Sequence, residues 1–137
     1  MASDVFIDTS GFYALLVRGD DRHQKSIDLM HQAAQVKRRF VTTDYVLDET
    51  ATLLQARGRP ELVTRFFVSV FGSRACRVIW MDPDRFDRTR ALFVSHLGQE
   101  WSFTDCVSFV VMKELRLREA LTKDAHFRAA GFLPLLV

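Results

Sequence analysis

The chain has 137 residues, 48% of them hydrophobic and 12% aromatic, enough apolar material to bury one core and to exclude a disordered polymer. Charged residues make up 26% and nearly cancel, leaving a formal +2, so any nucleic-acid binding has to rest on local basic surface and not on a global positive field. No apolar run approaches the roughly 18 residues of a membrane span, Met1-Ala2-Ser3-Asp4 lacks a basic leader, and Cys76 and Cys106 show neither metal-ligand spacing nor a disulfide framework; the expectation is one cytosolic domain over residues 1–137, with free buried thiols and no membrane association.

Residues 4–7 read as a short buried strand and 11–17 as a short helix. Gly19-Asp20-Asp21 then caps a longer helix with Ile27, Met30 and Ala34 on one stripe. The basic run Lys37-Arg38-Arg39 reads as a solvated helix end, with a phosphate contact as the alternative. A second strand spans 39–42, and Thr43 or Asp44 caps a helix reaching Arg57, where Gly58 is a left-handed stop and Pro60 opens the next helix, 61–71. Residues 77–81 form a third strand, and Pro83 starts an amphipathic helix to 97 carrying Phe86, Leu92 and Phe93. Ser102 caps a helix over 104–115; then come a strand at 119–122, a short helix at 125–130 and a fifth strand at 132–136. Strands alternating with helices predict an α/β fold whose mostly parallel sheet is covered on both faces, with ligands beyond the carboxyl ends of its strands.

Four acids fall where this pattern places chemistry. Asp8 ends the first strand, Glu49 lies inside the helix from 44, Asp105 sits in the first turn of the helix capped by Ser102, and Asp124 follows the fourth strand. Hard oxygen ligands scattered along a chain suit Mg²⁺ or Mn²⁺ better than zinc or copper. Each acid also has a plainer reading: Asp8 as a helix cap, Asp105 as a favourable first-turn charge, Asp124 as a turn former. Glu49 is sharper, because Val46, Glu49, Thr50, Leu53 and Leu54 follow helical spacing and place a carboxylate on an apolar stripe, where it needs a metal, a buried cation or a raised pKa. Asp48 falls off that stripe and is read as solvated. His126 reads as packing or hydrogen bonding before ligation, and Trp101 and Phe103 as core before base stacking.

Phe6-Ile7-Asp8-Thr9-Ser10, the Glu49 stretch Asp48-Glu49-Thr50-Ala51-Thr52-Leu53-Leu54, Phe103-Thr104-Asp105 and Leu121-Thr122-Lys123-Asp124-Ala125-His126-Phe127 resemble, in order and spacing, the PIN domains of the small VapC-like ribonuclease toxins. The resemblance covers nearly the whole chain. It implies an α/β/α sandwich with about five parallel strands, divalent-metal-dependent cleavage of RNA, frequent homodimerisation and inhibition by a cognate antitoxin protein. Carried over, it makes Asp8, Glu49, Asp105 and Asp124 the catalytic, metal-binding quartet, with Thr9 or Ser10 and Thr104 as hydroxyls supporting them. Two rivals remain. A haloacid-dehalogenase-type phosphatase wants a second Asp two residues after the first, and Ser10 stands there; a catalytically silent PIN-fold binding or scaffold protein keeps the acidic pocket but needs no ion.

Overall fold

The computed structural model describes residues 3–137. Met1 and Ala2, the start of the stretch read for a leader, lie outside the described residues. Strand β1 (Val5–Ile7) is followed by helices α1 (Thr9–Leu16) and α2 (His23–Gln35), then β2 (Phe40–Thr43), α3 (Asp44–Ala56), α4 (Glu61–Gly72), β3 (Cys76–Ile79) and α5 (Pro83–Ser95). After a 3-10 turn come α6 (Phe103–Glu114), β4 (Glu119–Leu121), α7 (His126–Ala129) and β5 (Leu133–Pro134).

The five strands form one sheet in the order β3-β2-β1-β4-β5, every neighbouring pair parallel. Every residue of β1 and β2 is buried, although successive side chains point to opposite faces, so both faces of the sheet centre are covered by helices. The chain builds outward from β1 through β2 to β3 and then returns to place β4 on the other side of β1. That reversal opens a crevice at the carboxyl ends of β1 and β4. Beneath it Phe6, Phe66, Phe127, Met112 and Leu121 form the fully buried centre of the core. No described helix is long and apolar enough to cross a membrane.

Local signals explain most boundaries. The Thr43 hydroxyl accepts from the Val46 N–H at 3.1 Å and so is the cap of α3. Gly58 has φ +71°, the left-handed stop that its position after α3 predicts. Ser102 and Asp105 form a reciprocal capping box at the start of α6.

Three expectations are corrected. Asp20 does not cap α2; its carboxylate accepts from the Arg22 N–H at 2.9 Å, making a turn before a helix that begins at His23. The buried face of α2 carries Ser26 and Ala33, while Ala34 is exposed, because Ser26 satisfies its hydroxyl on the His23 carbonyl and can be buried. Phe86 is exposed on α5, whose one buried residue is Thr89; its ring meets Phe103 of α6 at 5.4 Å, as Phe93 does at 5.5 Å, and Glu114 of α6 accepts from Arg85 and Arg88 at 2.8 and 2.7 Å. The hydrogen bonds from these guanidiniums hold the Glu114 carboxyl down at about 2. Lys37, Arg38 and Arg39 precede β2, at the amino ends of the parallel strands and so opposite the crevice, and Arg38 pairs with Glu119 at 2.9 Å.

Candidate active site

In the β1–β4 pairing Ile7 lies opposite Leu121, so the next residues, Asp8 and Thr122, leave the sheet side by side. The first turn of α1 presses on β4 at Gly11, where an added Cβ would lie 2.1 Å from the Leu121 carbonyl oxygen. Glycine is therefore what lets the two strand ends meet.

A hydroxyl has one proton and two lone pairs. Thr122 uses all three: it donates to Asp8 Oδ2 at 2.9 Å, and accepts from the Asp124 N–H and the Ser10 hydroxyl, each at 3.0 Å. Ser10 in turn accepts from the Lys123 N–H at 2.9 Å. These bonds lock the carboxyl end of β1 to the loop after β4. Of the hydroxyls read from sequence, Ser10 supports the site through Thr122, and Thr9 accepts from Thr50 at 3.3 Å. Among the described residues the Thr104 hydroxyl has no hydrogen-bond partner, while its carbonyl accepts from Ser108; Thr122 is the hydroxyl that bonds Asp8.

Asp8 is 5% exposed and does not cap α1 with its side chain. Its second oxygen, Oδ1, is buried without a hydrogen-bond partner among the described residues. Burial pushes its carboxyl up, the Thr122 hydroxyl pulls it down, and the charges of Asp105 and Glu49 push it up again, to about 7.

Asp105 serves twice, since its Oδ2 accepts from the Ser102 N–H at 3.1 Å and also faces His126 Nδ1 at 3.3 Å. Burial raises its pKa, the Ser102 N–H opposes this, and the charge of Asp124 adds to the rise. Asp124 Oδ1 accepts from the His126 N–H at 2.9 Å and lies 3.4 Å from His126 Nδ1. Asp105, Asp124 and His126 thus bring one ligand atom each within 4.8 Å of one another. Glu49 is half-buried on α3 between buried Val46 and Thr50, while Asp48 is exposed. Among the described residues Glu49 has no ion-pair partner within 4.0 Å.

Asp8, Glu49 and Asp124 line one crevice of about 370 Å³, together with Ser10, Arg57 and Lys123. Asp105 adjoins it closely enough that its charge raises the pKa of Asp8. A buried carboxylate oxygen without a partner calls for a proton or a cation, and converging carboxylates are the donor set of Mg²⁺ or Mn²⁺. The residues fit such an ion. A larger groove, about 550 Å³, runs beside Leu92, His96, Trp101, Phe109 and Phe132. Its one carboxylate, Glu114, is already held by two arginines, so it has no comparable donor set. Trp101 there stacks on His96 and meets Phe109 edge-on, in keeping with a packing role.

The family model for the PIN domain matches residues 5–133. The chain belongs to the PIN domain family. This PIN domain is 34% identical over 130 residues to the 23S rRNA-specific endonuclease VapC20 of Mycobacterium tuberculosis, covering 94% of the chain and 95% of that protein. It is 28% identical over 123 residues to a VapC ribonuclease of Archaeoglobus fulgidus, covering 88% of the chain and 77% of the relative. Its fold matches the crystal structure of the Mycobacterium tuberculosis VapC20, a sarcin-ricin loop cleaving toxin, with TM-score 0.83 and 30% identity over 95% of this chain and 97% of that one. A Pyrobaculum aerophilum protein, PAE2754, shares the fold at TM-score 0.65 and 19% identity.

Sequence reasoning missed Thr122 and Gly11 as parts of this PIN site. The signal for Thr122 was a hydroxyl between a strand and an acid; Gly11 carries none, since its role depends on a neighbour 110 positions away in sequence.

Proposed function

We propose that this PIN domain is a divalent-metal-dependent ribonuclease that hydrolyses RNA phosphodiester bonds, with Asp8, Glu49, Asp105 and Asp124 as its catalytic acids and Mg²⁺ or Mn²⁺ as their cofactor. One observation carries the reading: Asp8 is buried at the mouth of a crevice shared with Glu49 and Asp124, and one of its oxygens has no partner. Asp8, Glu49, Asp105 and Asp124 would hold the ion, which when bound would make water easier to deprotonate near neutral pH and offset negative charge at the leaving oxygen. The chain's own part is to hold the acids rigidly, through the Thr122 bond to Asp8 and the capping box around Asp105. Arg57 and Lys123 flank the acids and are placed to contact phosphates, which makes RNA binding weaken as salt rises. Thiol nucleophiles fit poorly, because Cys106 is fully buried and burial pushes both thiols up to about 11.

The likeness to a 23S rRNA-specific endonuclease along nearly the whole chain makes the sarcin-ricin loop the first substrate to assay. We place the protein as the toxin of a toxin–antitoxin pair, a cytoplasmic homodimer restrained by a cognate antitoxin. The exposed, stacked Phe71 and Trp80, 6.4 Å apart, offer apolar surface for such protein contacts. The test is cleavage of a 23S rRNA fragment by metal-free protein, with Mg²⁺, Mn²⁺ or EDTA added. Cleavage restored by either ion supports the reading, and cleavage that persists unchanged in EDTA overturns it.

A further inference from the structure

We infer that His126 is a metal ligand through Nδ1, so that the site is a mixed nitrogen–oxygen one that selects Mn²⁺ over Mg²⁺. The inference rests on the proposed metal site and goes beyond its four acids.

Geometry places the nitrogen among the oxygens. His126 Nδ1 lies 3.3 Å from Asp105 Oδ2 and 3.4 Å from Asp124 Oδ1, between the carboxylates of two different segments. The bond from the His126 N–H to Asp124 Oδ1, 2.9 Å, fixes histidine and aspartate to each other. Of the three other histidines, His23 Nδ1 is bonded to the Ala14 carbonyl, His96 stacks on Trp101 and His31 is exposed on α2. The unpartnered Oδ1 of nine-tenths-buried Asp8, in the crevice that Asp124 also lines, is the independent sign that a cation belongs here.

Ligation through Nδ1 requires the ring proton on Nε2. The His126 side chain is 41% exposed, so that proton can face water and no buried donor is stranded. Imidazole is a poor ligand for Mg²⁺, which keeps to oxygen, whereas affinity for nitrogen grows along the transition series from Mn²⁺ onward. One nitrogen beside several carboxylates therefore shifts preference toward Mn²⁺.

The experiment loads the metal-free, full-length protein with Mn²⁺ and records pulsed EPR, then measures Mn²⁺ and Mg²⁺ affinities for wild type and for His126→Gln. The expected wild-type spectrum contains a nitrogen coupling from one histidine. In His126→Gln that coupling disappears and Mn²⁺ affinity falls by at least about tenfold, the loss that even outer partners of a ligand cause, while Mg²⁺ affinity barely changes. A His96→Gln control keeps the coupling. Mn²⁺ bound without nitrogen coupling, coupling that survives His126→Gln, or an equal loss for both ions overturns the inference. In each of those cases the acidic site of the proposed nuclease still stands; absence of bound Mn²⁺ overturns the inference, and absence of both Mn²⁺ and Mg²⁺ binding overturns the acidic site as well. The wild-type spectrum decides the point even if the variant folds poorly.

Discussion

The Thr122 hydroxyl donates to Asp8 Oδ2 across 2.9 Å, joining residues 114 positions apart at the ends of two adjacent parallel strands. The Thr122 hydroxyl oxygen also accepts from the Asp124 N–H and the Ser10 hydroxyl, so one side chain positions two of the four acids. Thr122→Val keeps the shape and removes all three bonds. Metal-free stability is expected to drop by about 1–3 kcal/mol, the cost of buried polar groups left without partners. RNA cleavage and metal affinity should fall by about 10–100-fold, as when the support of a metal ligand is removed. Thr122→Ser restores the hydroxyl and should recover most of both; equal losses in Val and Ser variants would show that the methyl group, and not the bond, matters.

Asp8→Asn tests the buried charge. Because burial raises the folded-state pKa of Asp8 from 3.8 to about 7, its neutral form is the one the metal-free fold favours. The stability this contributes is fully present below the unfolded pKa and is lost as pH rises through about 7. The full loss is about 4 kcal/mol, at 1.36 kcal/mol per pKa unit. Asparagine cannot ionise, so metal-free Asp8→Asn should outlast wild type in urea at pH 8, with the advantage shrinking as pH falls toward the ordinary carboxylate range. Cleavage should be abolished. A variant no more stable than wild type at pH 8 would mean that the Asp8 carboxylate finds a partner in solution.

Glu49→Gln separates a metal ligand from a structural ion pair. Glu49 has no cation within 4.0 Å among the described residues and is only half-buried. Neutralising it should change metal-free stability by no more than about 0.5 kcal/mol, like other substitutions away from buried networks, while weakening metal binding and cleavage. Destabilisation of about 3–5 kcal/mol would instead reveal a stranded buried cation.

Much of this architecture was legible because it rests on local chemistry. Thr43, Gly58, Pro83 and Ser102 mark helix ends through bonds or φ values that their own segments dictate, and the alternation of strands and helices predicted the parallel sheet. Positions of the four acids relative to strand ends were readable for the same reason. What was hidden depends on distant partners. Phe86 looks like core by spacing, yet it is exposed, and the ring it meets, Phe103, belongs to another helix. Asp105 had two plausible roles in sequence, a first-turn acid and a site acid, and the folded chain gives it both sets of contacts, with Ser102 and His126.

Gly11 provides the sharpest structural prediction. Its α1 turn approaches β4 so closely that an alanine Cβ would stand 2.1 Å from the Leu121 carbonyl oxygen and 2.9 Å from its carbon, where real Cβ atoms essentially never come under 3.0 Å. Backbone cannot swing aside as a flexible side chain can, so Gly11→Ala has to push α1 off β4. Such overpacking costs about 1–3 kcal/mol or more. The displaced residues adjoin the Ser10–Thr122–Asp8 bonds, so cleavage should fall further than the stability loss explains at temperatures where the variant remains folded. Gly19→Ala is the matched control, since a Cβ there meets nothing within 4 Å and φ needs no left-handed freedom. It should be neutral in urea unfolding and in RNA cleavage. If Gly11→Ala proved equally neutral in both measurements, the close packing of α1 on β4 could not be what holds Asp8 against Thr122.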